Sequence, residues 1–195
     1  IIPLTGNGSR FKKYGYTKLK PFIMVHDKPI IEWVVSMFPN DNDNILFVVR
    51  KEHLERYEYV NKELKRVAPQ AKILTVDKWL KKGPVYDILR VSEFIENETP
   101  TIVCYTDFYM HWDYVHFIQK VKANDFDGAI PTYSYFHPHL IPRENVYASC
   151  KVNSYNLLEE IKEKYYWSEN KFLDRHSPGL YYFKSGKMMK KYFTK

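Results

Sequence analysis

The first residues able to do chemistry form a glycine-rich run, Thr5-Gly6-Asn7-Gly8-Ser9, which follows a strand-forming stretch from Ile1 to Leu4. Arg10 comes directly after this run, and Lys20 lies ten residues further on. A strand that ends in small residues exposes several backbone N–H groups together, and glycine lets a ligand approach them closely. Because the two cations can neutralise an anion held there, the pattern predicts a phosphate-binding loop.

Two common phosphate motifs do not match this run. The dinucleotide-binding fingerprint requires a small residue where Phe11 stands. The P-loop requires a Gly-Lys-Ser/Thr triplet after a four-residue gap, and the sequence has none. An ordinary turn between a strand and a helix remains an alternative for Gly6 and Gly8 alone, because glycine commonly marks turns.

Three blocks of sequence together favour phosphate chemistry: Gly6-Asn7-Gly8-Ser9-Arg10-Phe11, Lys20-Pro21-Phe22-Ile23 and Asp27-Lys28-Pro29-Ile30-Ile31. Their order and spacing resemble the signature of the sugar-nucleotide pyrophosphorylases, which join a nucleoside triphosphate to a sugar 1-phosphate. The resemblance covers most of the 195 residues. It implies catalytic roles for Arg10 and Lys20. The nucleotide-binding residues that it implies are Leu4, Thr5, Gly6, Asn7, Gly8, Ser9, Arg10, Lys20, Gly83 and Thr106.

A second candidate for chemistry is Asp107, which follows the apolar strand-like run Thr101 to Tyr105. Ligands of open α/β sheets bind at the carboxyl ends of the strands, and Mg²⁺ prefers carboxylate and phosphate oxygens. A helix-capping role is the alternative for an aspartate in this place. The run from Tyr105 to Tyr109 resembles the family segment that carries the metal-binding aspartate, which implies that Asp107 binds Mg²⁺.

The resemblance extends to the segments that contact the base and the sugar. Lys82-Gly83-Pro84-Val85 resembles the turn that contacts the base and opens a helix, and it leaves the identity of the base open. Glu163-Lys164 resembles the pair that reaches the sugar phosphate, with a solvated helix face as the alternative. Pro178 to Phe183 resembles the strand that closes the sugar pocket. The substrate-binding residues implied are Tyr147, Glu163, Lys164 and Gly179.

These residues must be positioned by alternating strands and helices, which favour an α/β layer fold. Apolar runs predict strands at Ile1–Leu4, Ile45–Val49, Lys72–Val76, Thr101–Tyr105, Gly128–Tyr133, Val146–Val152 and Leu180–Phe183. Helical periodicity predicts helices at Ile30–Phe38, His53–Lys65, Pro84–Ile95, Tyr114–Val121 and Lys187–Phe193. The expected architecture is a Rossmann-like nucleotide-diphospho-sugar transferase fold with a mixed, mainly parallel central sheet flanked by helices.

Composition sets the wider bounds. A chain of 195 residues with 45% apolar content suits a single domain over residues 1–195. The sequence opens inside a strand without a Met, so we expect a short missing N-terminal piece. The family's second metal-binding aspartate has no match, which predicts either C-terminal truncation or a variant metal site. Cys104 and Cys150 lie in apolar runs and favour a reducing, cytoplasmic setting.

The partners expected are a nucleoside triphosphate and a sugar 1-phosphate or similar phosphomonoester, with Mg²⁺ as cofactor. We expect neither membrane nor nucleic-acid binding, because no apolar run reaches 18 residues and the lysines are scattered. A homo-oligomer is left open.

The function expected is nucleotidyl transfer for capsule or surface-glycan precursor synthesis. A metal-dependent glycosyltransferase, a non-catalytic nucleotide-binding domain and a basic nucleic-acid binder, suggested by the +7 charge alone, are the alternatives.

Overall fold

The computed structural model describes residues 1–39, 44–77, 80, 82–106, 108–142, 144–145 and 147–195, except the side chain of His139. The chain divides into two compact units. Unit 1 comprises Ile1–Gly128 and Tyr182–Lys195, and unit 2 comprises Ala129–Tyr181.

The helices and strands alternate along most of the chain. The strands are β1 (Ile2–Pro3), β2 (Met24–Val25), β3 (Lys28–Pro29), β4 (Leu46–Arg50), β5 (Lys72–Val76), β6 (Thr101–Cys104), β7 (Gly128–Ala129), β8 (Ala148–Val152), β9 (Leu158–Glu163), β10 (Arg175–Ser177) and β11 (Leu180–Phe183). The helices are α1 (Ser9–Lys13), α2 (Ile30–Ser36), α3 (Lys51–Arg56), α4 (Glu58–Val67), α5 (Pro84–Leu89), α6 (Tyr114–Ala123) and α7 (Gly186–Phe193). This mixed α/β architecture confirms the predicted fold class.

The sheet that carries the glycine-rich run is parallel. Its strands lie in the order β1-β4-β5, with Pro3 paired to Val48 and Arg50 paired to Val76. The backbone N–H of Leu4 continues this pairing by donating to the carbonyl of Val48 over 2.7 Å. Because parallel strands end at the same edge, the residues that follow β1, β4 and β5 lie at the edge where α/β proteins bind ligands.

The buried core of unit 1 includes residues of this parallel sheet. Val48 and Val103 from the strands pack with Ile88 of α5 and Met189 of α7 in one buried cluster. Burial of each such side chain contributes about 1.5–3 kcal/mol to folding. The near-continuous apolar run of β4 explains its burial, as is typical of a parallel strand covered on both faces.

Unit 2 contains an antiparallel sheet with the order β10-β8-β9. Ser149 of β8 pairs with His176 of β10 on one side and with Lys162 of β9 on the other. The side chains of Ser149 and His176 are buried, whereas every residue of β9 is exposed. The charged segment that ends at Glu163 is therefore an edge strand, and the helical alternative for it is wrong.

Three predicted elements differ from the structure in extent. The helix predicted at His53–Lys65 is divided at Tyr57, whose φ of −129° lies outside the helical region. The helix predicted at Pro84–Ile95 ends at Leu89 and continues only as a 3₁₀ turn, Ser92–Phe94. The strand predicted at Gly128–Tyr133 covers only Gly128–Ala129. Among the described residues, no helix has the length and apolar character required to cross a membrane.

Candidate active site

The glycine-rich loop follows β1 and leads directly into α1. Gly8 has φ +59° and ψ +31°, and its carbonyl accepts the first bond of α1 from the N–H of Lys12 over 3.1 Å. This left-handed conformation is one that glycine adopts at little cost and most other residues adopt at a penalty. The predicted turn is therefore present, and the positive φ of Gly8 explains why glycine occupies this position.

Lys20 lies against this loop. A Cβ placed on Gly8 would be 3.4 Å from Cβ of Lys20 and 3.5 Å from its backbone N. Lys20 is the first residue of a 3₁₀ turn, Lys20–Phe22, and its Nζ lies 5.8 Å from the ring centroid of Phe11. The structure thus brings together Gly8 and Lys20, two residues that the sequence separates by a charged helix.

Gly6 is exposed, and a side chain placed on it would extend into open space. Within the described part of the chain, no atom lies within 4 Å of a Cβ placed on Gly6, and its φ is not positive. The protein itself therefore gives no steric reason for glycine at this position. An approaching ligand would give one, because a side chain here would stand between the ligand and the backbone.

The charge around the loop is uniformly positive. The first 26 residues contain no aspartate or glutamate. They contain five cations, which are Arg10, Lys12, Lys13, Lys18 and Lys20. Ser9 and Arg10 begin α1 with exposed side chains. Such a segment attracts anions and favours a ligand with several negative charges.

Two buried polar residues lie beneath the loop, and sequence reasoning missed both. Arg50, at the end of β4, is only 2% exposed and donates from Nη2 to Oδ1 of Asn7. His53 of α3 is also 2% exposed. In the sequence, Arg50 is a basic residue directly after an apolar strand-like run. Its role is visible only in the folded protein, where it contacts Asn7.

Both residues are buried in an environment that contains charges of both signs. Burial lowers the pKa of Arg50, while the carboxylates of Glu52 and Asp87 oppose this shift. Burial lowers the pKa of His53 to about 4, and the nearby charge of Arg50 adds to this effect. The His53 Nδ1 atom has no hydrogen-bond partner among the described residues. Arg50 therefore carries the charge beneath the loop and His53 is neutral at pH 7.

Gly83 directly precedes α5, and Thr106 lies in the segment that follows β6. Both residues belong to unit 1. Gly83 has φ +90° and precedes α5, which begins at Pro84, as expected for a glycine turn that opens a helix. Lys82 places its Nζ 4.8 Å from the ring centroid of Tyr86. Thr106 is buried just beyond β6.

Asp107, the predicted metal ligand, lies outside the described residues. Among the residues described, no group of three or more His, Cys, Asp or Glu side chains could hold a metal ion. Mg²⁺ commonly takes only one or two carboxylates and completes its shell with water and substrate phosphates. A site of that kind does not need a preformed cage of protein ligands.

Unit 2 brings together most of the predicted sugar-site residues. The N–H of Lys164 donates to the carbonyl of Tyr147 over 2.8 Å, and Glu163 pairs with Ala148 across β8 and β9. Lys164 has φ +57°, a left-handed conformation that ends β9 in a tight turn. Glu163 and Lys164 are exposed, as residues that await a ligand would be.

Gly179 occupies the turn between β10 and β11. Its φ of +98° requires glycine, and its N–H donates to Oγ of Ser177 over 3.3 Å. Tyr181 follows, and burial raises the pKa of its phenol, with smaller contributions from Cys150 and Glu163. Tyr181 belongs to the run Pro178 to Phe183 that the sequence analysis compared with the strand closing the sugar pocket.

Comparison with known proteins gives a result at the level of structure only. No protein-family model and no curated protein sequence matches the chain. A protein assigned as a glucose-1-phosphate thymidylyltransferase from Bacillus anthracis, solved with sucrose, superposes with a TM-score of 0.74 at 16% identity, over 96% of this chain and 71% of that one.

Two further solved structures are similar. An inositol-1-phosphate CTP transferase from T. maritima gives a TM-score of 0.66 at 15% identity, over 99% of this chain and 71% of that one. A nucleoside-diphosphate-sugar pyrophosphorylase from Vibrio cholerae RC9 gives 0.65 at 16% identity, over 93% and 72%. The structural neighbours of this chain are thus sugar-nucleotide pyrophosphorylases, and the fold is the one that they share.

Proposed function

We propose that this protein is a nucleotidyltransferase that joins a nucleoside triphosphate to a sugar 1-phosphate or a similar phosphomonoester. The observation that carries the proposal is the close approach of Lys20 to Gly8, since a Cβ placed on Gly8 would lie 3.4 Å from the Cβ of Lys20. It places a lysine beside a glycine-rich backbone at the carboxyl end of a parallel strand. The structural neighbours support the reaction class, since their names describe this transfer.

In the proposed reaction, a phosphate oxygen of the acceptor attacks the α-phosphorus of the triphosphate. A new oxygen–phosphorus bond forms, the bond between the α-phosphorus and its bridging oxygen breaks, and pyrophosphate leaves with the electron pair. The acceptor phosphate is the nucleophile, so no protein nucleophile is required. Catalysis in such transfers rests on positioning and on electrostatic stabilisation.

The residues divide these tasks. Backbone N–H groups of residues 6–9 and the side chain of Arg10 hold the triphosphate, and Lys20 offsets negative charge at the reacting phosphate. Asp107 would hold Mg²⁺, and the metal would supply further neutralisation of charge. Glu163 and Lys164 contact the acceptor phosphate, while Tyr147 and Gly179 line the sugar site.

The setting proposed is capsule or surface-glycan precursor synthesis in the cytoplasm. Both cysteines are free and buried, which is typical of proteins in reducing compartments. Burial raises the pKa of Cys104 to about 12 and that of Cys150 to about 11, so neither thiol is a reactive group at neutral pH.

The experiment that tests the proposal measures pyrophosphate release with Mg²⁺ over a panel of nucleoside triphosphates and sugar 1-phosphates. One pair of substrates should give release that depends on the acceptor. The variant Asp107→Asn, which keeps the shape of the side chain and loses its charge, should abolish the metal-dependent rate. Binding of a triphosphate without release would instead identify a nucleotide-binding domain, and turnover of a nucleotide-sugar would identify a glycosyltransferase.

A further inference from the structure

Arg50 occupies a position from which it contacts the glycine-rich loop and approaches α5. It ends β4, the strand that pairs directly with β1, and its side chain is 3% exposed. Nη2 donates to Oδ1 of Asn7, and Nη1 lies 3.7 Å from Oε2 of Glu52. The carboxylate of Asp87, buried in α5, also interacts with the charge of Arg50.

The chemistry of a buried guanidinium explains why these contacts matter. Arginine keeps its charge in proteins, and its five donors require acceptors once water is removed. Asn7 supplies one of these acceptors from the middle of the loop. Breaking the contact would leave a buried donor less well satisfied, so Arg50 holds Asn7 in its observed conformation. The Asn7 oxygen, being occupied by Arg50, is directed at the protein and not at a ligand.

We propose that Arg50 is a positioning residue that anchors the glycine-rich loop through Asn7. Arg50 does not touch the nucleotide. It keeps residues 5–9 in the conformation that presents their backbone N–H groups, and α5 begins directly after Gly83, the turn assigned to the base. The benefit to triphosphate binding rests on the proposed function, whereas the anchoring itself can be tested without any ligand.

Neighbouring contacts support an anchored loop. The N–H of Leu4 donates to the carbonyl of Val48 at the start of the loop. The loop is thus held at its start by Leu4, at its centre by Asn7 and at its end by the packing of Gly8 against Lys20. Of these three contacts, the one at Asn7 is a hydrogen bond between two side chains, so a single substitution can remove it.

The first arm of the test uses the ligand-free protein. The amide hydrogens of Leu4 and Lys12, whose bonds to Val48 and Gly8 lie at the two ends of the loop, should exchange roughly tenfold to a hundredfold faster in Asn7→Ala, because a hydrogen bond to a charged group is lost. Asn7→Asp keeps an acceptor for Arg50 and should retain the protection of the wild type. Trypsin should cleave after Arg10, Lys12 or Lys13 faster in Asn7→Ala, with mass spectrometry identifying the site.

Arg50→Lys provides the reciprocal variant, because a compact ammonium cannot reproduce the planar fork. Arg66→Lys is the matched control, since Arg66 also pairs with carboxylates, Glu32 and Glu63, but lies exposed on α4. It should leave the amide exchange of Leu4 and Lys12 unchanged. Asn7 is only half-buried in a loop, so Asn7→Ala tests the anchor even if Arg50→Lys fails to fold.

The second arm measures triphosphate binding by calorimetry in the same variants. Asn7→Ala and Arg50→Lys should each weaken binding about tenfold or more, and the double variant should lose no more than the larger single loss. Unchanged loop exchange in Asn7→Ala would overturn the anchor. Faster exchange with unchanged triphosphate affinity would overturn its role in binding. Faster exchange in a protein whose wild type binds no triphosphate would uphold the anchor and contradict the proposed function.

Discussion

Lys20 contacts the glycine-rich loop through the part of its side chain that an alanine would keep. A Cβ placed on Gly8 would lie 3.4 Å from the Cβ and 3.5 Å from the backbone N of Lys20, whereas Nζ of Lys20 lies 5.8 Å from the ring centroid of Phe11. The two parts of the residue can therefore be separated experimentally, because truncation removes the charge and leaves the packing in place.

We expect Lys20→Ala to lower turnover by about 10²–10³, the usual loss when one contact to transition-state charge is removed. Stability should change by no more than about 0.5 kcal/mol. Lys20→Arg should recover activity only in part, because its charge is spread over a planar group. Steady-state pyrophosphate release beside a thermal melt measures both quantities. Turnover near that of the wild type in Lys20→Ala would remove Lys20 from the catalytic residues.

His53 predicts a pH dependence of stability. Its pKa of about 4 in the folded protein lies below the unfolded value of 6.5, so the unfolded chain binds the extra proton between these values. The stabilisation is complete above pH 6.5 and is lost as the pH falls towards 4. The free energy of unfolding should decrease by up to about 1.4 kcal/mol per pH unit in this range.

Denaturant unfolding of the wild type and of His53→Gln, from pH 7 to pH 4, measures this effect. The variant should show a shallower fall in stability with acid than the wild type. His116→Gln, at an exposed position of α6, controls for the loss of a histidine as such. Equal pH dependence in the wild type and His53→Gln would contradict a buried, neutral His53.

At the scale of elements, Gly186 and Gly6 can be compared, because they differ in the space available for a side chain. A Cβ on Gly186, the first residue of α7, would lie 2.1 Å from the carbonyl oxygen of Glu96, a distance at which backbone must move. Gly6 meets no described atom within 4 Å. The first glycine is required by packing, whereas the second is required only if a ligand approaches the loop.

Gly186→Ala should therefore destabilise the protein by about 1–3 kcal/mol or more, as overpacking does. Gly6→Ala should melt within a few degrees of the wild type yet bind the triphosphate more weakly. Thermal melts with and without triphosphate and Mg²⁺ give both comparisons. A Gly6→Ala protein with full triphosphate affinity would show that the backbone of the loop is not approached by the ligand.

The sequence predicted elements well where burial and local pattern agree. The strand Lys72–Val76 and the strand Leu180–Phe183 have the predicted bounds. Val91 and Ile95 are buried, but the helix predicted over Pro84–Ile95 ends at Leu89. Apolar spacing reports which residues face the core, and it does not report whether the backbone between them remains helical.

The candidate site was predictable to the extent that it consists of consecutive residues. Gly6 and Gly8, with Arg10 beside them, form a local motif, and their turn is present. The role of Arg50 was not predictable, because its partners Asn7 and Asp87 come from distant segments and meet it only in the fold. The break at Tyr57 had no signal either, since neither glycine nor proline occurs there.

At the scale of the whole molecule, the charge distribution matches the proposed substrates. The formal charge is +7, and the segment that forms the loop and its flanks carries five cations without a carboxylate before Asp27. Such a field raises the rate of encounter with polyanions and is screened by salt. A triphosphate and a sugar phosphate are both polyanions, so the same field serves both substrates.

The reaction itself can be followed by two labels in one nucleoside triphosphate, one on the α-phosphate and one on the γ-phosphate, with a sugar 1-phosphate as acceptor and Mg²⁺ present. Nucleotidyl transfer predicts that the α-label enters the nucleotide-sugar product while the γ-label leaves as pyrophosphate, in a ratio of one to one. A γ-label found on the acceptor or in orthophosphate, or an α-label that never leaves the nucleotide pool with any acceptor, would contradict the proposed function.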